Sequence, residues 1–311
     1  MRTVLDFSVI IPAKNEERCI SACLQSIFSN SYPKDRYEVI VVDNGSDDRT
    51  VSLAESNGAQ VVRIPQVTIA ALRNHGARFA QGRVLVFIDA DCTVAEDWLE
   101  QASRYLERKD IALFGSPPGI PENSTWVQRT WFLVRGKRDA DVRYVTWLES
   151  MNMFIPHHLF LKVGGFNEDL ITCEDVDISY RLFEHGKIIS DINIKAVHHG
   201  EARTLKEFFK KERWRGKSNY NGSMAHGIKL RELPSLILPL YYLMMPLLAV
   251  TLWTIGWGWY LFLLSGLLWQ LPICLLVILK LRSSISIADI GRLWLLYNVY
   301  YSSRSLAIFK R

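Results

Sequence analysis

The chain has 311 residues, 49% of them hydrophobic, and a formal net charge of +5, which allows one large or two ordinary domains. The positive balance comes partly from basic residues that flank an apolar C-terminal block and is not read as a nucleic-acid footprint. The five cysteines, Cys19, Cys23, Cys92, Cys173 and Cys274, are odd in number and scattered, so they read as reduced core thiols, not as a disulfide framework or a zinc site.

In chain order, Met1-Arg2-Thr3 leads into a short apolar run from Phe7 to Ile11 that stops at Pro12. It is too short for a secretory signal and has no small-residue cleavage site, so it reads as a strand, and this part of the chain is expected in the cytoplasm. Strand-like and helix-like patterns then alternate. Strands are expected over 7–13, 37–42, 60–64 and 83–88, with helices over 16–29, 47–57 and 69–80. This alternation predicts an α/β fold with a parallel, nucleotide-binding kind of sheet. Over 117–153 the pattern becomes irregular, with Trp126, Trp131 and Trp147 and the charges Arg135, Lys137, Arg138, Asp139 and Asp141, a candidate acceptor-side wall. A helix over 174–185, short strands within 187–197 and a basic helix over 205–220 complete the soluble part.

From Pro234 to Leu279, 46 consecutive residues lack Asp, Glu, Lys and Arg, roughly twice the ~20 that cross a bilayer as a helix. Two spans are expected, near 234–255 and 258–280. Lys229 and Arg231 precede the block and Lys280, Arg282 and Arg292 follow it, which puts both ends on the cytoplasmic side. The stretch 285–309, broken by Asp289, Arg292 and Arg304, reads as an interfacial segment or a third span. The expected organisation is a catalytic domain over 1–230 and a membrane region over 231–311, in the inner (cytoplasmic) membrane with the catalytic domain facing the cytoplasm.

In open α/β sheets ligands sit beyond the carboxyl ends of the strands, which directs attention to 12–17, 43–46 and 89–91. No Gly-x-Gly-x-x-Gly turn and no Gly-Lys-Ser/Thr loop occurs, so phosphates must be neutralised some other way, and a metal held by carboxylates is the substitute. Asp89 and Asp91 emerge after Val84-Leu85-Val86-Phe87-Ile88, separated by the small Ala90. Two carboxylates on such a turn can hold a hard divalent cation, Mn2+ or Mg2+, that bridges the diphosphate of a nucleotide sugar. Asp43 follows Val39-Ile40-Val41-Val42, where a base or ribose would be read, while Ser46 to Asp48 read as turn and capping residues. Glu174-Asp175-x-Asp177 opens a helix, where negative charge is favourable in any case; Asp175 is the candidate general base for an acceptor hydroxyl. His198-His199-Gly200 follows another apolar strand, and one of the two imidazoles is a candidate to complete the metal shell.

Together these segments resemble a family. Phe7-Ser8-Val9-Ile10-Ile11-Pro12-Ala13-Lys14-Asn15-Glu16-Glu17, Val41-Val42-Asp43-Asn44-Gly45-Ser46, Arg73-Asn74-x-Gly76, Phe87-Ile88-Asp89-Ala90-Asp91, Gly164-Gly165-Phe166 and Glu174-Asp175-x-Asp177-x-x-x-Arg181 are similar to the family 2 inverting glycosyltransferases of the GT-A (Rossmann-like) fold. The likeness spans residues 5 to about 216. It implies a nucleoside pocket lined by Pro12, Ala13 and Glu16, with Asp43 on the base and Arg73, Asn74, Asp89 and Ala90 on the donor side. It implies Asp91 as principal metal ligand, Asp175 as base with Glu174 beside it, and His199 in preference to His198 as the metal- or phosphate-facing histidine.

Arg213-Trp214 resembles part of the Gln-x-x-Arg-Trp element of processive polysaccharide synthases, with Lys210 in place of the glutamine. The alternative is a basic amphipathic helix whose Phe208, Phe209 and Trp214 rest on the membrane while its lysines and arginines meet anionic lipid. The expected activity is sugar transfer with inversion from a nucleotide-sugar donor, UDP-linked by the family's tendency, to a hydroxyl of a glycan or lipid-linked acceptor at the bilayer. A polyprenyl-phosphate sugar synthase, a processive synthase and a non-catalytic scaffold stand as alternatives.

Overall fold

The computed structural model describes residues 4–135, 140–217, 233–256, 259–280 and 286–308, together with Tyr220, Met224 and Leu230. Lys229, Arg231 and Arg282 of the basic flanks, and Lys137, Arg138 and Asp139 of the charged cluster, lie outside the described residues. Contacts divide the chain into two units, Met1–Pro121 with Arg138–Gly200, and Glu122–Lys137 with Glu201–Arg311. The basic helix near 205–220, which the sequence assigns to the catalytic part, thus packs with the apolar helices instead.

The first unit runs β1 (Phe7–Ala13), α1 (Ile20–Phe28), β2 (Tyr37–Asp43), α2 (Thr50–Ser56), β3 (Gln60–Arg63), α3 (Ile69–Phe79), β4 (Val84–Ile88), β5 (Cys92–Val94), α4 (Trp98–Ser103) and β6 (Ile111–Gly115). α5 (Trp126–Arg135) belongs to the second unit. β7 (Val142–Val145), β8 (Asn152–Pro156), α6 (His157–Lys162), α7 (Glu174–Phe183), β9 (Lys187–Asp191) and β10 (Ala196–His198) complete the first. Eight strands form one sheet in the order β3-β2-β1-β4-β8-β6-β9-β7. β1 pairs in parallel with both β2 and β4, and β2 with β3; β8 is antiparallel to its neighbours β4 and β6.

Every residue of β1 and β4 is buried, as expected of strands covered on both faces. Phe7, Val9 and Ile11 pack with Ile20, Cys23 and Leu24 of α1 and Trp98 of α4. Ile10 and, from β2, Ile40 and Val42 pack on the opposite face with Leu72 of α3, Phe160 of α6 and Ile178 of α7. Winding proceeds from β1 through β2 to β3 and then reverses to place β4 on the other side of β1. The carboxyl ends of β1 and β4 therefore flank a topological switch point, where such sheets bind ligands.

Two expectations are corrected here. The helix expected from residue 16 begins at Ile20, because the preceding loop is laced to the next one. Asn15 N–H donates to Ser46 Oγ at 2.9 Å and Glu16 N–H to Thr50 Oγ1 at 2.7 Å, and Asn15 has φ 57°. The irregular stretch 117–153 contains α5, β7 and the start of β8. β8 is a central strand whose Asn152 side chain donates to the carbonyls of Ser116 and Ile194.

The second unit adds α8 (Leu205–Arg215), α9 (Leu233–Thr254), α10 (Trp259–Lys280) and α11 (Ile287–Ala307) to α5. α9 and α10 are each 22 residues long and apolar enough to cross a membrane; at 1.5 Å per residue each covers about 33 Å, close to the ~30 Å hydrocarbon core. α11 does not meet that standard among the described residues. It packs across the pair instead. Tyr242, Ile273, Val277, Leu293, Tyr297 and Tyr301 form one cluster. The Asn298 side-chain carbonyl accepts from Gln270 at 3.0 Å and from the Tyr242 hydroxyl, so one residue of α11 joins α9 and α10. Phe208, expected on the bilayer surface, is only 2% exposed and sits edge-on to Trp131 with ring centroids 4.8 Å apart. It is core, not anchor.

Candidate active site

The loops at the carboxyl ends of β1, β2 and β4 meet at one edge of the sheet. Ala13 pairs in register with Asp43, and its carbonyl accepts from Asn44 N–H at 2.9 Å. Pro12 and Ala13 are buried, so they shape a floor and offer backbone, not side chain, to a ligand. Asp43 is 1% exposed and its carboxylate accepts from the N–H groups of Gly45 and Ser46 at 3.1 Å. It holds the turn that any base-reading contact would depend on.

Arg73 is the hub of the site. It is 1% exposed, and its guanidinium donates to Glu174 Oε1 at 2.7 Å and to Asp89 Oδ1 at 2.9 Å. Its face lies 5.6 Å from the centre of the Phe166 ring. Burial opposes the charge, but Asp89, Glu174 and Asp175 outweigh it and hold the guanidinium above its ordinary pKa. The Asp89-Ala90-Asp91 turn and the start of α7 are thus clamped to one buried cation on α3. Asp89 is committed to this clamp.

Asp91 has a different partner. β5 and β10 form a two-stranded antiparallel ribbon that pairs Cys92 with His198, and His199 N–H donates to the Asp91 carbonyl at 2.9 Å. The ribbon delivers the His198 ring, with Nε2 3.1 Å from Asp91 Oδ2. His199, the histidine preferred from the family likeness, points elsewhere and meets Thr93 Oγ1 at 2.9 Å. Consecutive strand residues face opposite sides, so only one of the pair can reach Asp91, and it is His198. Gly200, which the sequence reading passed over, leaves room for the arrangement. A Cβ there would stand 1.8 Å from Asp91 Oδ2 and 3.0 Å from His198 Nε2.

Glu16 adds to the negative field. Burial and then the charges of Asp91 and Asp89 push its carboxyl up to about 7, with His198 pulling the other way. On the opposite side, Cys173 takes the left-handed conformation (φ 69°) immediately before α7, a strained setting for a residue with a side chain. That turn presents Glu174 and Asp175. Burial, followed by repulsion from Glu174 and Glu149, pushes the Asp175 carboxyl up to about 7, while Arg73 pulls it down. Ser179 Oγ donates to the Asp175 carbonyl at 2.6 Å and accepts from Leu148 N–H, docking residues 147–149 beside the carboxyl.

Three further predicted residues have other settings. Asn74 spends its amide on the Gly164-Gly165-Phe166 turn, donating to the Phe166 carbonyl at 2.9 Å and accepting from its N–H at 2.8 Å. Gly165 has φ 72°, and a Cβ there would come within 2.7 Å of Asn74 Oδ1. Asn74 thus holds the Gly164-Gly165-Phe166 turn against α3. Arg213 and Trp214 lie on α8 in the second unit. No signal short of tertiary contacts would have separated these roles, although a glycine directly after a His-His pair at a strand end hints at a crowded backbone.

Residues 8–168 match the glycosyl transferase family 2 pattern. The chain is 30% identical over 247 residues to Glycosyltransferase AglE of Haloferax volcanii, covering 76% of this chain and 81% of that protein. It is 27% identical over 225 residues to the Beta-monoglucosyldiacylglycerol synthase of Synechocystis sp., covering 66% of this chain and 46% of that relative. The solved mannosyltransferase PcManGT of Pyrobaculum calidifontis, in complex with GDP-Man and Mn2+, aligns with a TM-score of 0.62 at 16% identity over 97% of this chain and 85% of its own. That likeness is one of fold, a mixed α/β GT-A-like sheet followed here by two apolar helices that could span a membrane. The matched stretch contains all of β1 after Phe7, Arg73 and the Asp89-Ala90-Asp91 turn, and with the AglE likeness it shows that this chain belongs to glycosyltransferase family 2.

Proposed function

We propose that this glycosyltransferase is a metal-dependent inverting enzyme that moves a sugar from a UDP-linked donor to a hydroxyl of a lipid-linked glycan acceptor. It works at the cytoplasmic face of the membrane that holds α9 and α10. The observation that carries the reading is the Arg73 clamp, which fixes the Asp89-Ala90-Asp91 turn and the Glu174-Asp175 turn on one buried guanidinium. A donor-binding edge and a base are thereby held in one rigid frame.

The residues fit a divalent cation. Asp91 and His198, whose Oδ2 and Nε2 stand 3.1 Å apart, would hold it, a carboxylate oxygen and an imidazole nitrogen both being suitable donors. No cluster of three or more ligating side chains occurs among the described residues, so Asp91 and His198 are the two residues that would hold the cation. When bound, it neutralises the charge of the departing nucleoside diphosphate. Asp175 accepts the proton of the acceptor hydroxyl as that oxygen attacks the anomeric carbon and the bond to the diphosphate breaks. Attack opposite the leaving group inverts the configuration. Arg73 keeps Asp89 and Glu174 in place throughout, and Asp43 keeps the nucleoside loop closed on itself.

The test is a screen of nucleotide sugars against the purified full chain with Mn2+ or Mg2+, reading nucleoside diphosphate release. Asp91→Ala is expected to lower turnover at least about a hundredfold, and chelation should abolish it reversibly. Turnover that survives both treatments sinks the metal-dependent reading. Gly200→Ala should push the Asp91 carboxylate aside and raise the Mn2+ concentration needed for half-maximal rate by about 10–100-fold, with thermal stability little changed. An unshifted metal titration would show that Gly200 does not shape the site.

A further inference from the structure

α8 has two faces of opposite character. Inward, Phe208 and Glu212 are buried, and the charges are compensated. Glu212 accepts from Arg215 at 2.7 Å and from Arg304 of α11 at 2.9 Å, and Glu201 faces Arg215 at 3.5 Å and Lys211 at 3.9 Å. Burial alone would raise the Glu212 pKa, but Arg215 and Arg304 more than reverse this and hold it below its ordinary value. Outward lie Lys206, Lys210, Arg213 and Trp214, spaced so that a 3.6-residue turn gathers them within an arc of about 100°. Lys217 follows in the next turn. None of these four cations pairs with a carboxylate among the described residues, and Trp214 is 45% exposed. Glu207, the one acid at the edge of the stripe, is turned back to accept from Arg203 N–H at 2.8 Å.

The position of this stripe identifies what it meets. Ser305 Oγ donates to the Pro239 carbonyl at 2.6 Å, which ties the end of α11 to α9 six residues, or about 9 Å, from its start. The Arg304–Glu212 pair brings α8 to the same level. A helix held at the base of an apolar hairpin about as long as a bilayer is thick lies at headgroup depth. Uncompensated cations and an exposed Trp belong there.

We infer that the outer face of α8 and the turn after it (Lys206, Lys210, Arg213 and Trp214, then Lys217) is a binding surface for the headgroup phosphates of anionic phospholipids. Arginine and lysine face phosphate while the indole sits among glycerol backbones, and the buried Glu212 pairs keep the helix from rolling that face inward. Near an anionic surface each cation contributes about a fivefold gain in binding, and screening removes it at high salt. The inference concerns the second unit and needs no sugar donor, so its failure and that of the catalytic reading are separable.

The experiment is native mass spectrometry of the detergent-solubilised full chain, titrated with dioleoyl phosphatidylglycerol or dioleoyl phosphatidylcholine. The wild type is expected to bind the anionic lipid at least about fivefold more tightly. The ratio should fall towards one in K206Q/K210Q/K217Q and stay unchanged in K109Q/K162Q/K195Q, which removes the same charge from exposed sites of the first unit. A ratio near one in the wild type, a ratio untouched by the α8 variant, or an equal loss in both variants overturns the inference. Because the wild-type preference must also shrink as ammonium acetate is raised, a variant that fails to fold leaves the proposal testable, and a salt-insensitive preference overturns it.

Discussion

Asp175→Asn is expected to lower transfer to a hydroxyl acceptor by about 10²–10⁴-fold, the range that a positioned general base contributes. The reason is local. Burial and the neighbouring charges of Glu174 and Glu149 lift the Asp175 carboxyl to about 7, so near neutrality it is strong enough to take a proton and is still partly ionised. Wild-type turnover should therefore rise with pH through about 7 and then level off, whereas the Asn variant should be low and lack that limb. Stability moves the other way. A carboxyl whose folded pKa lies above its unfolded value favours the fold while it is protonated, and that contribution is lost as pH rises from about 4 to about 7. Asn keeps the neutral form at every pH, so the variant should melt at a higher temperature than the wild type at pH 8 and at a similar one near pH 3.5. A variant that is slow and stabilised marks Asp175 as a base held at the expense of stability. If transfer persists, the acceptor is already an anion, as in a polyprenyl-phosphate sugar synthase.

Arg73→Met should have the largest effect on the fold of the first unit. The guanidinium is fully buried and bridges two carboxylates. Removing one partner of a buried ion pair costs about 3–5 kcal/mol, because the remaining charge is left uncompensated. For a domain of this size that lowers the melting temperature by about 6–20 °C, measurable by circular dichroism or differential scanning fluorimetry. Arg73→Lys should recover only part of the loss, since an ammonium cannot reproduce the planar fork that serves Asp89 and Glu174 at once. Adding Glu174→Gln to Arg73→Met should restore part of the stability without restoring turnover. A melting temperature unchanged by Arg73→Met would mean that the two turns hold their places without the clamp.

The sheet was legible because its central strands β1 and β4 are buried on both faces and bounded by turns. β1 falls on the residues expected, and α9 and α10 lie within a residue or so of the expected spans. What escaped depends on contacts distant in sequence. A pattern of polar residues after β1 looks like a helix start, yet Asn15, Glu16 and Glu17 spend their amides on Ser46, Thr50 and Asp48. β8 hides in an irregular stretch because Asn152 followed by four apolar residues gives no hint that the strand inserts antiparallel between β4 and β6. Which of His198 and His199 meets Asp91 turned on the facing of a three-residue strand, and residue counting cannot supply that. Phe208 fits a membrane anchor as well as it fits a core residue until Trp131 appears beside it.

The ribbon of β5 and β10 bears on how a new chain becomes an enzyme. It joins Asp91 to His198 across 107 residues of chain, and contacts of such separation form late, after the local pairings that make them affordable. As synthesis proceeds from the N-terminus, the turn bearing Asp91 emerges well before its imidazole, and before Glu174 and Asp175. A ribosome-bound chain exposed only through Glu168 holds the whole family-matching stretch and none of the three. Activity is thus expected to switch on only when translation has carried Gly200 clear of the exit tunnel, so that an interrupted chain cannot consume its donor.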